Sequence, residues 1–313
     1  MRSFSADETR EALAYPQTIE ALRQAFQSDI EVPVRHHHTM RRQSEPAATL
    51  LLMPAWEGED YVGIKILTVT PGNAQRSLPA ILGVYLLNDG RTGAPLALID
   101  GPTLTVRRTA AASALAADYL ARKDSEHLLM AGTGALAPHL IEAHCAMRPI
   151  RRISIWGRRR EKAEEVAAGV KQPNVEVQVV DDLEKTVPLA DIISCATLST
   201  TPLVQGAWLQ PGQHLDLVGA FTPEMRESDD EAVRRSSLFV DTRAGCTQEG
   251  GDIVQPLQQG IIDPEAILAD LVDLTAGRHA GRTDEKEITL FKSVGTAVED
   301  FAAAKLVLER AGL

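Results

Sequence analysis

A glycine-rich turn in the middle of the sequence is a candidate binding site for a phosphate group. Gly132 and Gly134 follow the apolar run HLLMA at residues 127–131, and Ala137 completes a G-x-G-x-x-A pattern. The first glycine permits a tight turn, the second lets backbone N–H groups approach a pyrophosphate, and the alanine lets a helix pack close to the strand. Because strand, turn and helix follow in the expected order, the pattern favours a dinucleotide site over an ordinary turn.

The segment after the next apolar run is cationic. Gly157, Arg158 and Arg159 follow the run RISIW at residues 152–156. A site for NAD typically has an acidic residue here for the ribose 2′-hydroxyl, whereas a guanidinium binds the 2′-phosphate of NADP. Solvated arginines at a helix start are the alternative, but the helix dipole disfavours cations at that end. The sequence therefore favours NADP(H) over NAD(H).

Two further cations lie earlier in the chain. Lys65 shares one face of the strand-like run DYVGIKIL (60–67) with Gly63, which would leave space beside it. A strand lysine is commonly a solvated edge residue, so its position alone assigns it no role. Arg108 lies on a helical face with Leu104, Ala111 and Leu115. An arginine on such a packing face requires an anion, which is either a buried carboxylate of the protein or a ligand.

The run Arg35-His36-His37-His38 could suggest a metal site. Consecutive strand side chains point to opposite faces, so three adjacent histidines cannot converge on one ion. We therefore expect no metal site here, and Arg35 is the more interesting residue of the run.

The predicted secondary structure around these residues differs between the two halves of the chain. Strand-like runs separated by turn residues occupy residues 48–100, and an alanine-rich helix is expected at 103–121. After Asp124, short apolar runs alternate with helical segments, which is typical of βαβ units and a parallel sheet. The strands expected in that sheet are residues 127–131, 152–156, 175–180, 191–195, 214–218 and 238–241. The fold class is α/β, with a Rossmann-type doubly wound parallel sheet inserted into an α+β domain.

Composition limits the possible partners. The 313 residues carry a formal net charge of −11, which argues against binding to nucleic acid or to anionic lipid. No stretch approaches the roughly 20 apolar residues of a membrane span. Three cysteines without motif spacing argue against a disulfide framework or a cysteine-based zinc site, and they favour a reducing, cytoplasmic compartment.

Several long motifs resemble those of the ornithine cyclodeaminase/mu-crystallin family, and together they span nearly the whole chain. They are GIKILTVTPGN (63–73), LIDGPTLTVRRTAAASALAADYLAR (98–122), MAGTGALAPHLIEA (130–143), ADIISCAT (190–197), DLVGAFTPEMRE (216–227) and EITLFKSVG (287–295). The resemblance implies a homodimer with two domains in each chain. Residues 1–118 with 290–313 would bind substrate and dimerise, and residues 119–289 would form the NAD(P)-binding Rossmann domain.

The resemblance also implies roles for individual residues. Arg35, Lys65 and Arg108 correspond to the family's substrate-carboxylate cluster, in which Lys65 and Arg108 would be catalytic and Arg108 would also lie near the cofactor. The other cofactor contacts implied are Gly132, Gly134, Ala135 and Leu136 at the pyrophosphate turn, Gly157, Arg158 and Arg159 at the ribose, and Thr197, Val218, Gly219 and Ser293 beside the nicotinamide. A small amino or imino acid would be the substrate, since one carboxylate suits two guanidiniums and an ammonium.

Some positions depart from the family pattern. Where ornithine-cyclising members have an Asp and, four residues later, a Lys, this chain has Phe221 and Met225. A phenyl ring cannot pair with the amine of an ornithine side chain, so Phe221 would contact a different substrate. Leu136 replaces a common Gln, and Ala80 replaces a common Thr. We therefore expect NAD(P)H-dependent reduction of a cyclic ketimine or 2-imino acid, of the pyrroline-2-carboxylate or piperideine-2-carboxylate type, with ornithine cyclodeamination and a non-catalytic cofactor-binding role as the alternatives.

Overall fold

The computed structural model describes residues 1–312, except for the side chain of Ala74. Its backbone divides into two compact units, one formed by Met1–Thr109 together with the segment from Ala297 onward, and the other by Ala110–Thr296. The sequence predicted divisions at 118/119 and 289/290, and its last predicted residue, Leu313, lies outside the described residues. The first division falls inside a helix, Gly101–Leu120, where no change of sequence pattern marks it.

The first unit is built on a six-stranded sheet within the described residues, in the order β1-β6-β5-β4-β3-β2. Its strands are β1 (Arg2–Phe4), β2 (His36–Met40), β3 (Ala48–Glu57), β4 (Tyr61–Val69), β5 (Ile81–Asp89) and β6 (Pro95–Asp100). The neighbours from β2 to β6 pair antiparallel, whereas β1 pairs parallel with β6. The helices of this unit are α1 (Ala6–Ala12), α2 (Tyr15–Ala25), the start of α3 (Gly101–Leu120) and α11 (Ala297–Arg310).

Strand alternation gives this sheet two different faces. On one face the cross-strand partners Met53, Lys65, Tyr85 and Ile99 are buried, and residues of α11 such as Phe301 join the same core. Tyr85 lies over Gly63, where an added Cβ would be 2.1 Å from the Tyr85 Oη. Gly63 therefore leaves the space that the sequence indicated, and the Tyr85 ring fills it.

The two N-terminal helices are explained by a capping box and by apolar residues at helical spacing. Ser5 and Glu8 form the reciprocal capping box at the start of α1. On α2, Ile19 and Leu22 are buried, and Phe26 at its C-terminus is buried with them. Their spacing places Ile19, Leu22 and Phe26 on one apolar side of the helix, which packs into the first unit.

The second unit contains an eight-stranded parallel sheet in the described chain, in the order β13-β12-β14-β11-β10-β7-β8-β9. Its strands are β7 (His127–Ala131), β8 (Arg152–Trp156), β9 (Glu176–Val180), β10 (Ile192–Cys195), β11 (His214–Leu217), β12 (Ser237–Val240), β13 (Ile267–Asp270) and β14 (Thr289–Lys292). Its helices after α3 are α4 (Ala137–Met147), α5 (Arg160–Gly169), α6 (Leu183–Thr186), α7 (Asp230–Arg235), α8 (Arg243–Glu249), α9 (Gly251–Gln258) and α10 (Leu271–Thr275).

The order of these strands identifies where a ligand would bind in the second unit. From β7 the chain moves outward through β8 and β9, then returns to place β10 on the other side of β7. In open α/β sheets, ligands bind at such a switch point, beyond the carboxyl ends of the strands. The α/β class and the Rossmann-type sheet are therefore confirmed, and six of its strands match the predicted runs to within one residue at each end.

Four of the observed strands were not predicted from the sequence. These are β1 and β2 in the first sheet and β13 and β14 in the second. All four have five residues or fewer, which is too short for a clear strand pattern, and β14 ends on a lysine. Within residues 1–312, no helix combines the length and the apolar character needed to cross a membrane.

Gly63→Ala should lower the free energy of unfolding by about 1–3 kcal/mol, because the new methyl group must displace the buried Tyr85 ring. Gly169→Ala is the matched control, since an added Cβ at this last residue of α5 meets no atom within 4 Å. Thermal and urea unfolding of both variants would measure the difference. Equal stability of the Gly63→Ala protein and the control would contradict this account of the strand packing.

Candidate active site

Lys65 lies in the middle of β4, on the sheet face that α11 covers. Its side chain is 1% exposed, and its Nζ lies 2.6 Å from Oδ2 of Asp300. Burial lowers the pKa of Lys65 to about 8, although the Asp300 carboxylate opposes the shift. Lys65 is therefore a buried group that gives up its proton more readily than an exposed lysine, and it is not the solvated edge residue that position alone would suggest.

Arg108 on α3 is also buried and has two acidic partners on α11. Its Nη1 donates to Oε2 of Glu299 at 2.5 Å, and its Nε donates to Oδ1 of Asp300 at 2.8 Å. Burial alone would lower the pKa of Arg108, but the Asp300 and Glu299 carboxylates outweigh it and raise the pKa. From the sequence, the anion beside Arg108 could be a buried carboxylate of the protein or a ligand. The structure shows two buried carboxylates of the protein there.

Arg35 is the third cation of this group. It is half-buried directly before β2, and its charge acts on both Lys65 and Asp300. Burial would raise the pKa of Asp300, but Arg108 and Lys65 outweigh it and hold the pKa below its ordinary value. We call Arg35, Lys65, Arg108, Glu299 and Asp300 the cationic cluster, because with Lys65 protonated it has three positive side chains and two negative ones.

The glycine turn of the second unit fits a pyrophosphate. Gly132 has a φ of +129°, and an added Cβ there would be 2.6 Å from the carbonyl oxygen of Ala196. Gly134 and Ala135 are exposed, and an added Cβ at Gly134 would meet no atom within 4 Å. Leu136 starts α4 without a side-chain cap, so the first N–H groups of the helix can bind an anion.

The arginines after β8 differ in their partners. Arg160 pairs with Asp181 and Glu164. Arg158 and Arg159 are exposed, and neither forms an ion pair with a residue in the described part of the chain. Gly157 packs against the glycine turn, since an added Cβ would be 2.6 Å from the Thr133 methyl group. Two guanidiniums beside this turn therefore remain available to an anion.

The remaining predicted cofactor residues lie on the same edge of the second sheet. Thr197 follows β10, Val218 and Gly219 follow β11, and Ser293 follows β14. Since β14, β11, β10 and β7 are parallel neighbours, their carboxyl ends meet beside the glycine turn. The structure thus brings Thr197, Val218, Gly219 and Ser293 to the edge where a doubly wound sheet binds its ligand.

Phe221 lies in the loop after β11 and is 43% exposed. Met225 lies four residues further on, in a turn where its N–H donates to the carbonyl of Thr222. Neither side chain can hold an amine by charge. The loop thus presents an apolar ring at the position where cyclising relatives were expected to carry an acid.

The acidic residues that contact these cations and the loops after the strands were not predicted from the sequence. Glu299 and Asp300 lie in the first turn of α11, and acids are common on the solvated side of a helix start, so nothing marked them as buried. Glu227 lies in the acidic segment MRESDDE (225–231), which reads as a surface loop, yet it is fully buried. Only its place as the last residue of the motif at 216–227 could have pointed to it.

A family model for the ornithine cyclodeaminase/mu-crystallin family matches residues 4–312. The chain belongs to this family. The resemblance of the motifs is therefore confirmed over nearly the full length, as is the fold class that it implied.

Individual members of the family are similar over their full lengths. The chain is 36% identical over 314 residues to a Δ1-pyrroline-2-carboxylate reductase of Colwellia psychrerythraea, which covers 99% of both proteins. The solved Δ1-pyrroline-2-carboxylate reductase of Thermococcus litoralis, in complex with NADH and L-proline, is 35% identical with a TM-score of 0.93, covering 99% of this chain and 97% of that one. An archaeal alanine dehydrogenase dimer with bound NAD is 28% identical with a TM-score of 0.90, covering 99% and 95%.

Proposed function

We propose that this protein is an NAD(P)H-dependent reductase of cyclic 2-imino acids of the Δ1-pyrroline-2-carboxylate type. The observation that carries the proposal is the single surplus positive charge of the cationic cluster, which suits a substrate with one carboxylate. The reductases among the relatives and the neighbour that holds NADH and L-proline support the same chemistry. Phe221 supports a substrate without a side-chain amine.

In this reaction one C=N bond becomes a C–N single bond. When bound, the nicotinamide cofactor supplies a hydride, which the imine carbon accepts, and the nitrogen gains a proton. We assign carboxylate binding to Arg35, Lys65 and Arg108, which would fix the orientation of the imine carbon. We assign the proton to Lys65, directly or through a water, and its pKa of about 8 supports that role near neutral pH.

For the cofactor we propose that NADP(H) is preferred over NAD(H). The relatives with a bound cofactor hold NADH or NAD, so this preference rests on Arg158 and Arg159 alone. Both are exposed after β8, and neither is paired with an acid within residues 1–312. A 2′-phosphate would give each guanidinium the anion that the protein does not supply.

We also propose that the protein is a homodimer that associates through the first sheet. The face opposite α11 is apolar yet only half-buried, and its members are Leu50, Leu52, Pro54, Trp56, Val62, Ile64, Ile66, Leu82, Val84, Leu86 and Leu98. A contiguous apolar face of this kind is typical of a protein interface.

We further propose a reducing, cytoplasmic compartment for this protein. The three free cysteines, Cys145, Cys195 and Cys246, support it.

The function is tested with purified protein, NADH or NADPH, and a panel of substrates. The panel contains Δ1-pyrroline-2-carboxylate, Δ1-piperideine-2-carboxylate, 2-oxo acids with ammonia, and ornithine. Nicotinamide absorbance should fall with the cyclic imines, and proline should form from the pyrroline. Proline release from ornithine without imine reduction would instead make the protein a cyclodeaminase, and tight cofactor binding without any turnover would make it a binding protein.

The kcat/KM for the imine should fall above about pH 8, because Lys65 then loses the positive charge that the substrate carboxylate needs. Below that pH the Lys65 ammonium is present, so titration of Lys65 should not change kcat/KM there.

Lys65→Met should lower kcat/KM at least 100-fold and leave the Kd of NADH within about twofold, since Asp300 keeps Arg108 as its partner. An active Lys65→Met protein would remove Lys65 from the site.

Arg158→Ala should raise the KM for NADPH about tenfold and change the KM for NADH little, because one charge-assisted contact to the 2′-phosphate is lost. Arg160→Ala is the matched control in the same segment, as Arg160 is already paired with Asp181 and Glu164. Steady-state kinetics with each cofactor would measure both ratios. Equal losses for NADH and NADPH in the Arg158 variant would contradict a phosphate contact.

Ile64→Glu should convert the dimer into a monomer of about 34 kDa in light scattering, because a carboxylate would be buried in the apolar interface. Leu268→Glu on β13 is the control, since Leu268 is 44% exposed and lies in the second unit. The control should keep the mass of the unaltered protein. A monomeric unaltered protein would refute the proposed dimer.

A further inference from the structure

Three buried charged residues lie behind the cofactor edge of the second sheet, and no role has yet been given to them. They are Glu227, Asp252 on α9 and Lys292 at the end of β14, each at most 1% exposed. We call them the buried triad. A buried charge is costly unless it is paired or hydrogen-bonded, so their contacts indicate what the triad does.

Glu227 joins the loops that follow β10 and β11. Its Oε1 accepts the backbone N–H of Thr197 at 2.6 Å and the Thr197 hydroxyl at 2.7 Å. Its Oε2 accepts the backbone N–H groups of Gly219 at 2.8 Å and Ala220 at 3.3 Å. A single carboxylate therefore fixes Thr197 and Gly219, which the family resemblance implies as nicotinamide contacts.

The two loops are also in direct backbone contact. An added Cβ at Gly219 would be 2.1 Å from the carbonyl oxygen of Thr197 and 2.6 Å from Oε1 of Glu227. The space between the loops is thus filled by the Glu227 carboxylate and by backbone. A shift of that carboxylate would move both loops.

Asp252 and Lys292 complete the triad. Asp252 Oδ1 accepts the backbone N–H groups of Glu227 and Ser228, both at 2.9 Å. Lys292 Nζ lies 3.3 Å from Asp252 Oδ2, and Lys292 directly precedes Ser293. The triad thus connects the three segments that carry the proposed nicotinamide contacts, and it holds two carboxylates against one ammonium.

We propose that Glu227 is a positioning residue that fixes Thr197 and Gly219 for the nicotinamide, and that its buried negative charge favours the oxidised ring over the reduced one. The proposal rests on the proposed cofactor-dependent function. The oxidised nicotinamide carries a positive charge and the reduced one does not, so a fixed carboxylate nearby stabilises only the former. In a low-dielectric interior such a charge acts over several ångströms.

The charge of Glu227 can change near neutral pH. Burial raises the pKa of Glu227 to about 7, with Asp252 adding to the shift and Lys292 opposing it. The other titratable neighbour, the Cys195 thiol, has a pKa that burial raises well above its ordinary value, so it stays neutral. Binding of a cation must lower the pKa of Glu227 by linkage, and a protonated Glu227 then releases its proton.

The test compares the binding of NAD+ and NADH without turnover. In the unaltered protein, the ratio of the NAD+ Kd to the NADH Kd should rise as the pH is lowered from 8 to 6, because Glu227 becomes neutral. Calorimetry in buffers of different ionisation enthalpy should detect proton release when NAD+ binds at pH 7, and none when NADH binds. A pH-independent ratio without proton release would overturn the proposal, and this measurement requires no variant.

Glu227→Gln should raise the NAD+ to NADH Kd ratio about tenfold and abolish the proton release. Asp216→Asn is the matched control, because Asp216 is an equally buried carboxylate of this unit whose partners are the side chains of Ser113, His144 and Ser194. The control should keep both the ratio and the proton release. A Glu227→Gln protein with an unchanged ratio would refute the charge effect.

These binding readouts are independent of the substrate. If the protein reduces no imine but shows the NAD+ effects, only the proposed function fails. If it reduces the imine with a pH-independent Kd ratio, only the role of Glu227 fails.

Discussion

The pairing of Lys65 and Arg108 with the acids of α11 is the interaction on which the first unit depends. Lys65 on the sheet and Arg108 on α3 would each cost several kcal/mol if buried without a carboxylate, so neither can stay buried unless α11 packs beside it. This requirement explains why the chain, after forming a complete second unit, returns its C-terminal helix to the first. Asp300 meets Lys65 and Arg108 together, and it is therefore the residue that joins β4, α3 and α11.

In the second unit the corresponding constraint is the close approach of backbone segments at the carboxyl edge of the sheet. Gly132 approaches the carbonyl of Ala196, and Gly219 approaches Thr197, at distances that exclude any side chain. Gly132 follows β7 at the switch point, and Gly219 follows β11, the strand beyond β10. Buried backbone N–H groups at this edge need partners, and the Glu227 carboxylate accepts those of Thr197, Gly219 and Ala220.

The sequence predicted the elements whose patterns are local. The turn after HLLMA, the alternation in DYVGIKIL and the apolar neighbours of Arg108 each depend on a few adjacent residues, and the structure places all three as expected. The partners of these residues could not be predicted, because Glu299 and Asp300 follow Arg108 by about 190 positions and lie at a helix start where acids are common. The burial of Glu227 and Lys292 could not be predicted for the same reason. Whether a charged side chain is buried depends on contacts with distant residues, and the neighbouring sequence does not show them.

The long separation between Arg108 and Asp300 also sets the order in which the protein can be built. The second unit, Ala110–Thr296, is continuous in sequence and can fold as soon as it leaves the ribosome. The first unit cannot, because Lys65 on its bare apolar sheet face and Arg108 on α3 lack their acidic partners until α11 has been synthesised. The cluster proposed to bind substrate is therefore the last part of the chain to be assembled, and a chain that stops before α11 would hold a folded nucleotide-binding unit attached to an unfinished sheet.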